Sequence, residues 1–290
     1  MNKPQSISIV TKLECDSDFA YTKEAVRILT AAGVRVCIDQ SFKYRLGEMR
    51  SLAHLVYSER ELLESADMLL VLGGDGTMLD CCVRAAELAK PVAGINLGNL
   101  GFLTAMERDE MNRLTDIAEG RFTVENRMML EMEITDRYTT HRRRALNDIV
   151  ITSSVPCKLA ELTLASGSGK LLDYRADGLI VATPTGSTAY SLSAGGPVVD
   201  PTASLLTVTP ICSHSLLRGS VIFAPDTVLT VSGHTKDASD ALCVTADGKN
   251  SIMLPRGTSV TVRKSEYTAG IVKLGEGRFY EILETKLNRK

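Results

Sequence analysis

The stretch Gly73-Gly74-Asp75-Gly76-Thr77 decides how this sequence folds. It follows the apolar run Met68-Leu69-Leu70-Val71-Leu72, whose unbroken hydrophobicity is typical of a strand buried on both faces of a parallel sheet. The residues from Met78 to Ala89 predict a helix that Pro91 stops. A glycine-rich turn between strand and helix leaves backbone N–H groups at the helix N-terminus, where an anion is stabilised. The stretch therefore predicts a phosphate loop formed by Gly73, Gly74, Gly76 and Thr77.

Asp75 is the residue of this loop that points to chemistry. A carboxylate beside phosphate oxygens adds like charge, so we expect it to bind a divalent cation, orient a hydroxyl group or take up its proton. Asp-Gly is also the commonest pair in a tight turn. Its place between a buried strand and a helix favours the phosphate loop over the plain turn. Asp75 is therefore the candidate catalytic residue, and the metal ligands are left open.

Composition and charge limit the class of protein. The chain has 290 residues, of which 44% are hydrophobic and 23% charged, and a formal net charge of −2. These values fit a globular protein and give no electrostatic case for binding nucleic acid. Arg142-Arg143-Arg144 is interpreted as a solvated loop. No run of about 20 apolar residues predicts a membrane helix, and the N-terminus shows no signal-peptide pattern.

The cysteine content agrees with a reducing compartment. Seven cysteines, with no C-x-x-C spacing, argue against a disulfide framework and against a zinc ribbon. The four histidines lack metal-binding spacing, and no G-x-x-x-x-G-K-[ST] motif is present. We therefore expect a cytoplasmic protein that binds neither nucleic acid nor a membrane.

Strands and helices alternate through the first part of the chain. Strand patterns at Ser6–Thr11, Val34–Ile38 and Pro91–Ile95 are separated by helical patterns, which predicts a parallel sheet of βαβ units. The stretch 39–57 is interpreted as an irregular, mobile excursion, and 107–119 as a helix. Ligands of such sheets lie at the carboxyl ends of the strands, which is where the glycine loop falls.

A second glycine-rich loop follows the strand at Pro91–Ile95. It runs from Asn96 to Thr104, and its glycines and asparagines suit a backbone that comes close to a ligand. Phe102 in this loop is a candidate for stacking on an adenine base, with simple packing as an equal alternative.

After Gly120 the pattern changes to short segments rich in β-branched residues and separated by turn residues, which predicts an all-β sandwich. The last stretch, Phe279 to Leu287, has helical spacing. We therefore expect an N-terminal α/β domain at 1–121, a β-sandwich substrate-binding domain at 122–272, and a C-terminal segment at 273–290 that returns to the first domain. The predicted strands of the second part are 122–135, 145–152, 160–166, 178–182, 221–223, 228–232, 242–245 and 259–263.

The most distinctive segment runs from Arg175 to Pro197. Within it, Thr185 to Thr188 resembles a helix N-terminus with several capping hydroxyls. Free N–H groups and hydroxyls there suit a pyrophosphate or a ribose, and a capped short helix without ligand is the weaker alternative. Asn147-Asp148, ahead of another strand, is a further polar pair. Asn can pair with an adenine edge and Asp can accept from a ribose hydroxyl, although such a pair is usually a turn.

These motifs, in this order and spacing, resemble the motif set of bacterial NAD kinases. The resemblance rests on 73–77, 97–104, 147–148 and 177–197, and it covers nearly the whole chain. The glycine–aspartate loop is shared with diacylglycerol kinases, sphingosine kinases and phosphofructokinases, whereas the segment from Thr183 to Pro197 is much more specific. The resemblance implies a Rossmann-like N-terminal α/β domain, a C-terminal β-sandwich domain and a site between them.

The resemblance also implies a reaction. The γ-phosphoryl group of ATP, or in some members polyphosphate, would be transferred to the adenosine 2′-hydroxyl of NAD to give NADP, with Asp75 as the general base. A divalent metal cation, Mg²⁺ in most members, would assist, and the protein would form a homodimer or homotetramer. The implied substrate contacts are Asp75, Gly76, Asn147, Asp148, Lys158, Arg175, Asp177, Thr188, Ala189, Tyr190, Ser191, Leu192 and Ser193.

The sequence departs from the family pattern at two places. Ser213 stands where relatives often have Pro, and the Arg-Pro pair common nearby is replaced by Arg218-Gly219. Lys249 stands where many relatives have an amide that helps hold the substrate. The departure at Lys249 concerns one substrate contact rather than the reaction.

Two other functions fit parts of this sequence. A lipid kinase of the diacylglycerol type shares the glycine–aspartate loop, but no amphipathic basic stretch suits a lipid surface. A non-catalytic NAD(P) sensor would share the fold, but binding alone does not require a carboxylate beside phosphates.

Overall fold

A computed structural model describes residues 3–135, 139–155, 158–167, 169–216, 218–236, 241–275 and 278–287. The chain forms two compact units, one made of Met1–Asn126 and Ala269–Lys290 and the other of Arg127–Thr268. The first is an α/β unit and the second is built of antiparallel sheets, which confirms the predicted fold class. Within the described residues, no helix combines the length and apolar character needed to cross a membrane.

The first unit is built on a parallel sheet. Its strands are β1 (Ser6–Thr11), β2 (Arg35–Asp39), β3 (Ala53–Val56), β4 (Met68–Gly73), β5 (Val92–Asn96) and β6 (Met106–Glu107). They lie in the order β3-β2-β1-β4-β5, with β6 beside β5, and each pair is parallel. Every residue of β4 and β5 is buried, as expected for central strands covered on both faces.

Helices cover this sheet. The α-helices among the described residues are α1 (Ala20–Ala31), α2 (Glu59–Glu64), α3 (Asp75–Ala86), α4 (Leu114–Ala118), α5 (Tyr190–Ser193) and α6 (Arg278–Leu287), of which α5 lies in the second unit. Val26 and Leu29 of α1 share a buried cluster with Ile7 and Ile9 of β1, so the helical spacing of the apolar residues buries one face of α1 on the sheet.

The stretch 39–57 is ordered, and its interpretation as a mobile excursion was wrong. It contains two 3₁₀ turns, Gln40–Phe42 and Gly47–Leu52, followed by β3. The Phe42 ring lies 5.1 Å from that of the buried Phe19, which explains why the stretch packs. The predicted helix at 107–119 was also too long, because it comprises the end of β6, a 3₁₀ turn and the short α4.

The second unit contains two antiparallel sheets. Its strands are β7 (Thr123–Thr135), which begins in the first unit, β8 (Thr140–Ala145), β9 (Asp148–Ser153), β10 (Ala160–Ser166), β11 (Gly169–Ala176), β12 (Gly178–Ala182), β13 (Leu206–Ile211), β14 (Val221–Phe223), β15 (Leu229–Thr235), β16 (Leu242–Ala246), β17 (Lys249–Leu254) and β18 (Ser259–Lys273), which ends in the first unit. One sheet has the order β14-β13-β12-β9-β16-β17, and the other has β11-β10-β15-β18, with β7 beside β18 and β8 beside β7. Side chains of both sheets share one buried cluster, which is the core of the sandwich.

The basic run 142–144 lies in strand β8, so its interpretation as a solvated loop was wrong. Arg142 is opposite Glu133 on β7, and its Nε donates to Glu133 Oε2 at 2.9 Å. Arg144 is opposite Glu131, which is only 8% exposed. Cross-strand ion pairs of this kind offset the low strand propensity of consecutive charged residues.

The chain passes from one sheet to the other at two places. These two connections position the polar residues of this unit. Leu146 and Asn147 join β8 to β9, and the single residue Asp177 joins β11 to β12. A Cβ atom at Gly178 would lie less than 3.0 Å from the carbonyl oxygen of Ile151, so the second passage requires glycine beside Asp177. The ends of β12 therefore carry the candidate binding residues.

Candidate active site

The glycine loop joins β4 to α3 as predicted. Gly73 ends β4, Gly74 is the N-cap residue, and Asp75 is the first residue of α3. The carbonyl of Gly74 accepts from the amides of Thr77 and Met78, at 3.0 and 3.1 Å. The first two amides of the helix, those of Asp75 and Gly76, have no partner inside the helix. This is the arrangement in which a helix N-terminus binds an anion.

The Asp75 carboxylate is fixed by the second glycine-rich loop. The amide of Phe102 donates to Oδ2 at 2.9 Å, and the amide of Leu103 donates to Oδ1 at 3.1 Å. The two loops follow β4 and β5, which are neighbouring parallel strands, so their carboxyl ends meet at one edge of the sheet. Each carboxylate oxygen accepts one N–H, which leaves lone pairs that can accept from a hydroxyl group. Asp75 is half-buried and is therefore oriented yet reachable.

Gly101 makes this contact sterically possible. A Cβ atom on Gly101 would lie less than 3.0 Å from Asp75 Oδ1, so the loop passes the carboxylate only without a side chain. We expect Gly101→Ala to displace the carboxylate, to lower kcat about 10–100-fold and to cost about 1–3 kcal/mol of unfolding free energy, as overpacking does. Steady-state kinetics and thermal unfolding measure the two effects.

Gly98→Ala is the matched control in the same loop. A Cβ atom there would meet Asn96 Oδ1 at 4.0 Å, which is an ordinary van der Waals distance, so kcat should stay within about twofold of the parent value. Equal kcat values for the two alanine variants would contradict the positioning of Asp75 by Gly101.

Phe102 lies under helix α6. Its ring centroid is 5.7 Å from that of Phe279, and the Lys286 ammonium nitrogen is 4.3 Å from the Phe102 centroid. Part of the ring is thus occupied by aromatic and cation–π contacts. The stacking of Phe102 on adenine stays a prediction, and it must use the part of the ring that α6 leaves open.

Two predicted binding segments of the second unit meet at one end of the sheet that contains β9 and β12. Asp148 at the start of β9 is paired with Ala182 at the end of β12. The carbonyl of Asn147 accepts from the amide of Thr183 at 2.9 Å, and Thr183 Oγ1 donates to the carbonyl of Leu146 at 2.6 Å. The structure therefore brings Asn147 and Asp148 together with the beginning of the hydroxyl-rich segment.

Most hydroxyl groups of that segment form hydrogen bonds that stabilise the segment itself. Thr183 Oγ1 accepts from the Gly186 amide at 3.0 Å, Ser187 Oγ bridges to the backbone of Val199, and Ser191 Oγ lies 3.1 Å from Thr209 Oγ1. The three side chains are buried. Local hydrogen bonds from hydroxyl groups stabilise a tight turn where the backbone forms no longer helix or strand. Ligand-accessible side chains in 188–193 are therefore chiefly those of Thr188, Tyr190 and Ser193, because Ser191 is buried.

Asp247 was missed by sequence reasoning. Its carboxylate accepts the amides of Leu146, Asn147 and Asp148, at 2.9, 2.8 and 3.1 Å. Burial, together with the charge of Asp247, raises the pKa of Asp148 to about 7. Burial also raises the pKa of Asp247, against the opposing effect of the three amides. The signal in the sequence was the Asp247-Gly248 turn, but nothing local relates it to Asn147.

Lys158, Arg175 and Asp177 lie at the other end of the sheet. Asp177 precedes β12, and its carbonyl accepts from the amide of Ser153 at the end of β9. Strand β12 has five residues, so at about 3.4 Å per residue Asp177 lies roughly 17 Å from Asp148. The carbonyl of Arg175 accepts from the His214 amide, and Lys158 is exposed beyond β9. The structure does not bring these three residues together with Asn147 and Asp148.

The glycine loop with Asp75 at the first position of α3 is an arrangement suited to binding a phosphate. Two family models match the chain, the ATP-NAD kinase N-terminal domain over residues 7–122 and the ATP-NAD kinase C-terminal domain over residues 146–274. The chain is 41% identical over 268 residues to the NAD kinase of Symbiobacterium thermophilum, covering 92% of this chain and 93% of that relative. It is 33% identical over 290 residues to the NAD kinase of Caldanaerobacter subterraneus subsp. tengcongensis, covering 99% and 100%.

Solved structures agree with the sequence comparison. A crystal structure of yeast NADH kinase complexed with NADH superposes with a TM-score of 0.88 at 25% identity, covering 100% of this chain and 90% of that one. A crystal structure of an NAD kinase from Archaeoglobus fulgidus in complex with ATP superposes with a TM-score of 0.73 at 25% identity, covering 97% and 98%. The chain belongs to the NAD kinase family and is an enzyme of that family.

Proposed function

We propose that this enzyme transfers the γ-phosphoryl group of ATP to the adenosine 2′-hydroxyl of NAD, giving NADP and ADP. The observation that carries the proposal is the Asp75 carboxylate, held by two backbone amides inside a glycine loop at a helix N-terminus. The named substrates of relatives support it, since one neighbour was solved with NADH and another with ATP.

In this mechanism Asp75 is the general base. The 2′-hydroxyl oxygen forms a bond to the γ-phosphorus, the bond from that phosphorus to the bridging oxygen of ADP breaks, and the hydroxyl proton passes to Asp75. An alcohol is a weak nucleophile at neutral pH, and a positioned base contributes about 10²–10⁴-fold. The amides of Phe102 and Leu103 hold the carboxylate still, so little reorganisation is needed when the proton moves. The amides of Asp75 and Gly76 are proposed to bind a phosphate of the donor.

The residues of the loop fit a divalent cation such as Mg²⁺ that is held mainly by the substrate. Within the described residues, no group of three His, Cys, Asp or Glu side chains forms a metal cage. Mg²⁺ is usually bound by one or two carboxylates together with substrate phosphates, and Asp75 has lone pairs available beside the loop. When bound, the cation neutralises charge on the transferred phosphate.

Asn147 and Asp148 are proposed to be the principal NAD contacts, together with accessible groups of 188–193. The Asn147 side chain is half-exposed and offers both a donor and an acceptor. Lys158, Arg175 and Asp177 stay predicted contacts, and one ligand would have to extend along β12 to reach both sets. Polyphosphate as donor and assembly into a homodimer or homotetramer likewise remain predictions of the resemblance, and cytoplasmic location remains a prediction from the composition of the sequence.

Product analysis tests the reaction. The purified protein is incubated with ATP, Mg²⁺ and either NAD or diacylglycerol, and the products are separated by chromatography. We expect NADP from NAD, no phosphorylated lipid, and loss of NADP formation when Mg²⁺ is chelated. Phosphorylated diacylglycerol without NADP would replace the proposal by a lipid kinase. NAD binding without any product would replace it by a sensor.

A further inference from the structure

Asp247 lies in the two-residue turn Asp247-Gly248 that joins β16 to β17. The φ angles of the two residues are 50° and 68°, as in the type I′ hairpin turns that Asp-Gly favours. The amide of Asp247 donates to the carbonyl of Asp148 at 2.9 Å. The hairpin turn therefore places the Asp247 carboxylate against the turn that contains Asn147 and Asp148.

Stability alone gives a poor account of this residue. Asp247 accepts from three consecutive amides, which requires the two oxygens of a carboxylate because a single carbonyl oxygen has only two lone pairs. Asp148, with only 4% of its surface exposed, lies beside it as a second carboxyl group. Two neighbouring buried carboxyl groups oppose ionisation and cost stability. The arrangement is therefore costly for the fold and calls for a role in the site.

The hydrogen bonds of Asp247 reach both predicted NAD-binding segments. They fix the backbone of Asn147 and Asp148 directly. Leu146 and Asn147 in turn accept from Thr183, through its hydroxyl and its amide. A Cβ atom on Gly186 would lie less than 3.0 Å from the carbonyl of Asn147, so the segment after β12 is packed directly on the held turn.

The side chains of Asn147 and Asp148 are left for a ligand. The hydrogen bonds that hold this turn use backbone groups of Asn147 and Asp148 and not their side chains. The Asn147 amide group and the Asp148 carboxyl group can therefore contact a ligand without breaking these bonds.

We propose that Asp247 is a positioning residue that holds the Asn147-Asp148 turn in the conformation that binds NAD before NAD arrives. The choice of NAD as ligand rests on the proposed function, whereas the preformed turn does not. The charged groups that act on Asp247 are Asp148 and Lys249. Lys249, the departure from the family pattern, favours the ionised form of the Asp247 carboxylate, which is the form that accepts three amides.

Asp247→Asn tests the role in binding. The amide side chain keeps one oxygen for the amides of Asn147 and Asp148 but directs an NH₂ group at the amide of Leu146. We expect the KM for NAD to rise roughly 10–100-fold, as for a lost bond to a charged acceptor, with kcat and the KM for ATP within about threefold of the parent. Asp173→Asn, on an exposed carboxylate of β11, is the matched control and should leave all three constants unchanged.

Hydrogen exchange on the parent protein tests the preformed turn without depending on the variant's folding. The amides of residues 146–148 should be protected from exchange before NAD is added, because Asp247 already accepts them. Exchange at open-chain rates that slows only with NAD would overturn the proposal, as would an unchanged KM for NAD in folded Asp247→Asn. The proposed function is tested by a different measurement. If it is wrong, the parent protein forms no NADP.

Discussion

Asp75→Asn is expected to lower kcat by roughly two to four orders of magnitude, the contribution of a general base, while the KM for NAD changes little. The variant keeps the size of the side chain but cannot take up the hydroxyl proton. The structure adds a second effect. Asp75 accepts from two amides, and an Asn can accept from only one of them while its NH₂ group meets the other. We therefore expect a stability loss of about 1–3 kcal/mol as well.

The two effects separate by measurement. Thermal unfolding shows up to which temperature the variant stays folded. Kinetics measured below that temperature report the effect on the chemistry alone. Asp80→Asn is the matched control, because it makes the same change on the same helix α3 outside the loop. We expect its kcat to stay within about twofold of the parent. Near-parent turnover of folded Asp75→Asn would exclude Asp75 as the base.

The parts of the fold that were predictable have a strong local signal. The apolar run of β4, the glycine loop and the start of α3 form a strand–loop–helix pattern whose physical causes lie within 20 residues. Strand β12 and strand β14 were predicted with the boundaries that the structure has, because β-branched and apolar residues end there at turn residues.

The parts that were missed depend on distant partners. Strand β8 carries three consecutive arginines and is stabilised by glutamates of β7. Strand β3 has four residues and pairs along β2, so it offers no periodicity to detect. Strands β11, β13 and β17 were missed as well. The pairing strand explains β8 and β3, whereas β13 carries the β-branched residues Thr207, Val208 and Thr209, a local signal that could have predicted it.

The candidate site divides in the same way. Asp75 was predictable because its loop is local in sequence, but its acceptance of the Phe102 and Leu103 amides spans 27 and 28 residues. Asp247 acts on a turn that is 99 to 101 residues away, so no spacing rule could identify it. The separation of Asp177 from Asp148 follows from the length of β12 between them. The motifs alone do not predict this distance.

The adenosine 2′-hydroxyl oxygen is proposed to be the atom that accepts the phosphoryl group. If Asp75 removes the proton of the adenosine 2′-hydroxyl, the NAD analogue that lacks only this hydroxyl has nothing to phosphorylate. It keeps the groups that Asn147 and Asp148 are proposed to bind. Loss of one hydrogen bond should weaken its binding by about tenfold or less, so it should compete with NAD. Product formation from it should be undetectable, which is the largest effect that the account predicts.

The measurement is mass spectrometry of the 2′-deoxyadenosine analogue of NAD after incubation with the enzyme, ATP and Mg²⁺. NAD in a parallel reaction confirms that the enzyme is active. We expect the analogue to inhibit NADP formation from NAD and to keep its own mass. An analogue that gains a phosphate would place the transfer on another oxygen and contradict the role assigned to Asp75.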